Sequence, residues 1–378
     1  MIACQRHLFD IPEDIAYLNC AYLSPLSHAA VAAGHAGMDR KTRPWEIVTR
    51  DFWEGANTAR GLFGGLIGAE ADDIAVVPAA SYGMATAAAN APVSAGQRII
   101  ILAEQFPSNV VPWRVLAAKR GAELVVIDRP PDDNWTSPLL AAIDDRAAVV
   151  AVPNCHWTDG TLVDLVAVGQ ACRDAGAMLA VDLTQSIGAM PFDVAEVQPD
   201  FLVAAGYKWM MAPYSIGFLY VDPKHHEGRS LEHGWTVRSM DAEFKPMTGY
   251  ELPFELAARR FDVGEVANFA LMPAAIAALE QLQAWGPAEV QATLRAYTDG
   301  LSTRIQDLGW QVAPNERRVG HFLGLRRPSG FPEGIVERLA EENVYLTRRG
   351  TSLRVTPHLY NHQGDADRLV EALAREEK

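Results

Sequence analysis

Lys208 is the only lysine or arginine between Arg173 and Lys224, in a stretch rich in Val, Ala, Trp and Met. An ammonium in such surroundings is costly to bury unless something uses it. Desolvation disfavours the charged form and leaves an amine that can act as a nucleophile. Such an amine forms a Schiff base with a carbonyl. Upstream, the apolar run Met178 to Val181 ends in Asp182. That pattern puts a carboxylate at the C-terminal tip of a strand, where open α/β sheets hold their ligands. Pyridoxal phosphate needs both groups, the lysine for its aldehyde and the acid for its pyridinium nitrogen. The same two residues would also suit an ordinary buried ion pair.

The surrounding order of residues narrows this. D-x-x-Q-S-x-G runs from Asp182 to Gly188, and F-x-V-x-A-G-Y-K from Phe201 to Lys208. Together they resemble the class V aminotransferase family of fold-type I enzymes. That family includes cysteine desulfurases, kynureninases and isopenicillin N epimerase-like proteins. The resemblance implies that Lys208 is the Schiff-base lysine and that Asp182 pairs with the pyridine nitrogen. It implies that Gln185 bonds the cofactor at O3′ or in the imine region and that Tyr207 contacts its phosphate. The loop Phe106-Pro-Ser-Asn looks like the kynureninase-type loop whose Phe stacks on the ring, a favourable contact between flat aromatic faces.

Other candidates follow from the elements that must position them. Asp73-Ile-Ala-Val-Val-Pro reads as a buried strand feeding an Ala-rich helix with Ser81 as N-cap. A strand meeting a helix N-terminus through small residues makes an anion site. Ser81, Tyr82 and Gly83 are therefore candidates for the phosphate, which the family holds there. The strand Ala147 to Val152 ends in Pro-Asn-Cys-His-Trp. Of Asn154, His156 and Trp157, His156 is the choice for the residue facing the cofactor. Arg260 to Phe269 resembles the family segment that reaches the partner subunit's cofactor phosphate. Where the family has Thr this chain has Glu265, whose carboxylate would repel a phosphate, so Gly264 or Asn268 takes that place. Near the end, R-V-T-P-H-L-Y-N resembles the family's R-x-[ST]-P-x-x-Y-N. It implies that Arg354 clamps a substrate α-carboxylate with its two-pronged fork. Asn19, Tyr22 and Ser24 fall where related enzymes bring an N-terminal segment over the substrate.

Strand and helix patterns alternate through most of the chain, which indicates a mostly parallel sheet. The expected fold is α/β, the aspartate aminotransferase-like fold of pyridoxal-phosphate-dependent transferases. A large domain with a central sheet would be followed by a small α+β C-terminal domain. The expected divisions are an N-terminal arm over 1–20, the large domain over 21–265 and the small one over 266–378. Helical spacing covers 46–68, 271–284 and 289–308. Residues 231–263, with Trp235, Arg238 and Tyr250, show no regular pattern. The adjacent His225 and His226 lack metal-ligand spacing and are expected to be exposed. No metal site is expected.

The chain has 378 residues, of which 49% are apolar, ample for such a core. A net charge of −14 argues against nucleic acid or an anionic membrane as the main partner. Four cysteines without metal or disulfide spacing suggest a reducing compartment. MIACQRHLFD has no apolar signal region, and no apolar run reaches the roughly 20 residues that cross a bilayer. The protein is expected to be cytoplasmic and, by the resemblance, a homodimer.

The expected activity is that of an enzyme acting on an amino acid, which displaces Lys208 from its Schiff base. The first reading is a class V aminotransferase-like enzyme, transferase or lyase by class. A β-eliminating C–S lyase or an epimerase is the alternative, and a kynureninase-like hydrolase a further one. A non-catalytic regulator would need a DNA-reading head, and the N-terminal arm has no basic helix-turn-helix. No G-x-G-x-x-G marks a nucleotide-binding first strand. Desulfurases carry a loop cysteine shortly before the carboxylate-binding arginine. Here that stretch is Arg348 to Arg354, and no cysteine follows Cys172. No enzyme persulfide is therefore expected.

Overall fold

The computed structural model of the chain describes residues 1–238, 254–255 and 257–376. Tyr250 lies outside them. The chain opens with a two-residue strand, β1 (Ala16–Tyr17), and helix α1 (His28–Arg40), whose N-cap Ser27 accepts from the Ala30 N–H. Helix α2 (Asp51–Ile67) begins five residues later than its pattern suggested. It ends on Gly68 in the left-handed conformation, as a helix C-terminus favours. Its buried Ala56, Ala59, Phe63 and Ile67 recur every three or four residues and so form one apolar stripe.

From there strands and helices alternate. In order they are β2 (Ile74–Val77), α3 (Ala80–Asn90), β3 (Arg98–Leu102) and α4 (Val111–Arg120). Then come β4 (Glu123–Ile127), α5 (Thr136–Ala142), β5 (Ala147–Pro153), α6 (Leu165–Ala175), β6 (Met178–Asp182), α7 (Val194–Val197), β7 (Phe201–Ala205) and β8 (Gly217–Val221). These strands form one seven-stranded sheet in the order β2-β8-β7-β6-β5-β3-β4. Only β8 runs against its neighbours. β2, β5, β6, β7 and β8 are buried along their whole length, so they read as unbroken apolar runs. The parallel strands point their C-terminal ends to one edge, and the loops leaving that edge build the site.

Helix α8 (Leu271–Trp285) returns to this body. Its Met272, Ala275, Ala278, Leu279 and Leu282 join the same core as α2 and the sheet. The expected division at 266 therefore falls before a helix whose apolar face belongs to the large core. The remaining elements are α9 (Pro287–Gln306), β9 (Leu323–Leu325), α10 (Ile335–Glu341), β10 (Val344–Tyr345), β11 (Thr347–Arg349), β12 (Ser352–Val355) and α11 (Gln363–Arg375). They make a second core under an antiparallel sheet in the order β11-β12-β9. β1 pairs in parallel with β10, and Ala16 and Leu18 are buried in this second core. The arm is thus fastened to the small unit, with Arg6 bonded to Asp365 at 3.2 Å. His225 and His226, expected to be exposed, are half-buried against Asp200 at 2.6 Å and Asp73 at 3.3 Å.

Candidate active site

Five loops leaving the strand tips converge on a cavity of about 400 Å³. They contribute Ala79 and Ser81 after β2, Gln105, Phe106 and Asn109 after β3, and Cys155 and Trp157 after β5. Asp182 and Gln185 come from the end of β6, and Tyr207 and Lys208 follow β7. Two glycines let the last two loops approach each other. A Cβ on Gly206 would lie 2.7 Å from the Ile216 carbonyl oxygen. Gly188 has φ +88°, and a Cβ there would lie 2.8 Å from the Trp209 carbonyl oxygen. A side chain at Gly188 would push the Gln185 and Lys208 loops apart, and one at Gly206 would prise open the Lys208 loop where it folds back on Ala212 and Ile216.

Lys208 is buried, and its Nζ lies 5.2 Å from the Phe106 ring centroid and 5.5 Å from that of Tyr207. Among the described residues it makes no ion pair within 4 Å. Burial lowers its pKa to about 8, with Arg354 and Arg349 adding to the fall and Asp182 opposing it. The amine is therefore partly neutral near physiological pH. Asp182 is also buried; one carboxylate oxygen accepts from the Thr184 backbone N–H at 2.9 Å. Burial raises its pKa, with hydrogen bonds from Thr184 and the charge of Lys208 opposing. It makes no ion pair among the described residues, so it is an acid that a cation placed beside it would ionise.

The Phe106 loop is held by a chain of side-chain amides. Trp113 Nε1 donates to Asn109 Oδ1 at 2.9 Å, Asn109 Nδ2 to Gln105 Oε1 at 3.1 Å, and Gln105 Nε2 to the Ala151 carbonyl at 3.0 Å. The sequence reading missed this chain, although its members stand four residues apart. Phe106 meets Trp157 edge-on, with ring centroids 5.2 Å apart. Gln185 uses both ends of its amide: Trp209 Nε1 donates to Oε1 at 3.0 Å, and Nε2 donates to the Ala21 carbonyl at 3.2 Å. The segment that follows the arm touches the lysine loop too, since the Ser24 backbone N–H donates to the Tyr207 carbonyl at 3.0 Å.

Ser81, Phe106, Asp182, Gln185, Tyr207 and Lys208 therefore share one cavity. Ser81 is the second residue of α3 rather than its cap. Ala79 holds the cap position without a side-chain bond, so the first turn's N–H groups meet the cavity uncapped by a side chain. Tyr82 packs instead against the core beneath the helix. His156 does not line the cavity. Along an extended segment side chains alternate, so Cys155 and Trp157 face inward while Asn154 and His156 turn away. His156 stacks on Trp135 at 4.9 Å and bonds Thr158 and the Ala103 carbonyl; burial lowers its pKa. It is a packed imidazole behind the wall, and Trp157 is the residue of this loop that meets the cavity together with Cys155. Gly264 lies away from its own chain's cavity, donating to Glu232 at 2.8 Å.

Arg354 is buried at the small unit's edge of the site. Nε and Nη2 donate to Thr347 Oγ1 at 3.0 and 2.8 Å, and Nη1 to the Trp157 carbonyl at 3.1 Å. Asn19 is buried and accepts from the same Thr347 hydroxyl at 3.1 Å. Tyr22 is 53% exposed. No group of three or more potential metal ligands is present among the described residues. Nor is any described helix long and apolar enough to cross a membrane.

The residues fit pyridoxal phosphate on the structure's own terms. A buried acid without a cation, a buried amine without an acid, a flat aromatic beside both and an open helix N-terminus face one cavity. Comparison with known proteins agrees. The Aminotransferase class-V profile matches residues 42–360. An uncharacterized aminotransferase, YcbU, of Bacillus subtilis (strain 168) is 25% identical over 318 residues, 84% of this chain and 82% of that protein. A cysteine desulfurase of Salmonella dublin is 38% identical over 133 residues, 34% of this chain and 32% of that one. Among solved structures, the complex between the cystine C-S lyase C-DES and its reaction product cysteine persulfide superposes with TM-score 0.83 at 18% identity. That match covers 96% of this chain and 98% of the other. The chain belongs to the class V aminotransferase family and is a pyridoxal-phosphate-dependent transferase or lyase.

Proposed function

We propose that the protein acts on an α-amino acid through Lys208, as an aminotransferase or as a β-eliminating C–S lyase. The observation that carries the reading is the partly neutral Lys208 amine and the unpaired Asp182 facing one cavity. When bound, pyridoxal phosphate supplies an aldehyde for the amine and a protonated ring that takes up electron density from the substrate's Cα. The chain's own residues do the rest. Asp182 holds the proton on the ring nitrogen, and that cation in turn keeps Asp182 ionised. Phe106, on the loop held by the Gln105–Asn109–Trp113 chain, would offer the ring a flat apolar face. Ser81 and the first N–H groups of α3 receive the phosphate, with Tyr207 beside them. Arg354, held by Thr347, receives the α-carboxylate. Lys208 then takes the proton at Cα, and its lowered pKa near 8 suits it as a general base.

The residues from Arg348 to Arg354 include no cysteine, which argues against desulfuration through a protein thiol; transamination and β-elimination both need a base and an electron sink but no thiolate. A homodimer is part of the proposal. Tyr22, Leu23, Leu26, Val31, Met38 and Trp45 are large apolar side chains left exposed between residues 22 and 45, as a subunit contact would use.

Product analysis after incubation with a panel of amino acids tests the reading. A keto acid with stoichiometric amino transfer indicates transamination; pyruvate, ammonia and a sulfur product indicate elimination. Asp182→Ala is expected to lose turnover by about 100-fold, more than it loses cofactor. Near-normal turnover in that variant, or no reaction with any amino acid, sinks the proposal.

A further inference from the structure

A second guanidinium, that of Arg349, lies beside Arg354 against Trp157 and meets no carboxylate within 4 Å among the described residues. β11 and β12 form an antiparallel hairpin in which Thr347 faces Arg354 and Arg349 faces Ser352. Side chains alternate along strands, so Thr347, Arg349, Ser352 and Arg354 share one face. Arg349 is then the diagonal neighbour of Arg354, within reach of long side chains. Both guanidinium carbons lie 5.8 Å from the ring centroid of Trp157, the residue that lines the cavity.

Neither arginine makes an ion pair within 4 Å among the described residues. Arg354 bonds only a hydroxyl and a carbonyl, and Arg349 donates to the Arg348 carbonyl at 2.8 Å. This stands out in a chain with 47 acidic residues, where Arg129 and Arg326 close by are each paired with Asp159. The two charges also act on each other and on the site. Arg349 helps lower the pKa of Arg354, and both help lower that of Lys208. A substrate's single α-carboxylate would neutralise one of them and leave the other facing Trp157 alone.

We propose that the substrate carries a second anionic group, a side-chain carboxylate or comparable acid, which Arg349 receives while Arg354 holds the α-carboxylate. This rests on the reading of the cavity as an amino-acid site. Arg349 thereby selects dianionic amino acids over neutral ones of the same shape. Its guanidinium is tethered to the Arg348 carbonyl and carried on the hairpin, so the selection costs little ordering.

The test uses the cofactor-loaded enzyme and ligands that cannot react. Succinate and glutarate are titrated calorimetrically at low salt against their half-amides, succinamate and glutaramate, which match them in shape but lack one charge. At least one diacid is expected to bind about tenfold more tightly than its half-amide. In Arg349→Gln that ratio falls toward one, and Arg349→Lys restores part of it. Equal affinities for both diacids and their half-amides, or a ratio unchanged in Arg349→Gln, overturns the proposal. Spectral titration with aspartate, asparagine, glutamate and glutamine separates this from the proposed function. Absence of any amino-acid-induced change in the cofactor band sinks that function. A change of equal strength for acid and amide sinks only the role of Arg349.

Discussion

Two cations are buried beside the large sheet, Arg60 on α2 and Lys208 after β7, and their surroundings differ. Arg60 donates to Asp262 through Nη2, to Asn57 Oδ1 at 2.8 Å and to the Ile74 carbonyl at 3.0 Å. Asp262 in turn accepts from the Val76 backbone N–H at 2.8 Å. Such a buried pair is tied into the backbone on both sides, and removing one partner strands the other. Among the described residues Lys208 has no such partner. Its nearest acid in the site, Asp182, is too far for an ion pair and is itself stabilised only by Thr184 and charge at a distance. An amine and a carboxylate buried in one cavity without touching leave a gap for a ligand. Arg60 and Asp262 show what the alternative, a plain ion pair, looks like in this protein.

The largest test of that contrast is Lys208→Ala. Turnover should fall by roughly three orders of magnitude, the scale of a lost general base, and borohydride should no longer fix the cofactor to the chain. The variant should fold as well as the parent, because no partner is left unpaired. Borohydride labelling of another lysine, or turnover within tenfold of the parent, would give Lys208 the structural part instead.

Arg60→Met should do the reverse. Stranding Asp262 costs about 3–5 kcal/mol of stability, read from denaturant unfolding, while turnover per folded molecule holds. A stable variant with impaired turnover would erase the distinction between the two cations.

The pH dependence of cofactor capture sharpens it further. Lys208 reacts as the free amine, and its pKa is lowered to about 8. Capture of pyridoxal phosphate by the apoprotein should quicken about tenfold per unit as pH rises toward 8 and flatten above it. A lysine of ordinary pKa would keep rising to about 10.4. The linked stability has a definite sign. The folded pKa is below the unfolded one, so the unfolded chain binds more protons between them. Lys208 thus destabilises the apoprotein fully below about 8, and the penalty fades as pH rises above that toward the unfolded value. Unfolding midpoints of the parent and of Lys208→Met across that window isolate the effect. A gap that widens with rising pH would mean that the amine is not desolvated.

Much of this was legible in the chain because it is written in short range. The apolar runs ending in Asp182 and preceding Lys208 fixed which residues sit at strand tips, and the alternation of patterns gave the parallel sheet. The errors arose where facing depends on a half-turn of backbone. His156 and Trp157 are neighbours, and one peptide's rotation decides which meets the cavity. Ser81 looked like a cap from its type, yet the helix begins one residue before it, at Ala80, with Ala79 as its cap. The boundary at 266 missed that α8 packs back onto α1 and α2, because an apolar helix face does not reveal which core it joins. The Arg349–Arg354 face depends on the register of a hairpin, which no local pattern in Arg348 to Arg354 disclosed.

The smallest effect concerns sulfur. Cys155 lines the cavity, and it is the one thiol that could challenge the absence of a persulfide step. Its environment argues against that part. The side chain is fully buried, and burial together with Asp159 raises its pKa well above that of an ordinary thiol, outweighing Lys208 and Arg354. A thiol attacks sulfur as its thiolate, so a raised pKa leaves it inert. It also lies on the loop that follows β5, packed with Cys20, Trp209 and Phe322, where it cannot swing toward a substrate. Cys155→Ala should therefore keep turnover within a few-fold, the loss coming from packing alone, since a buried cysteine behaves as a small apolar side chain. Mass spectrometry of the parent after incubation with cysteine should find no added sulfur on any of the four thiols. Sulfur on Cys155 during turnover, together with an inactive Cys155→Ala, would place a nucleophile in the cavity besides Lys208 and undo the contrast from its other side.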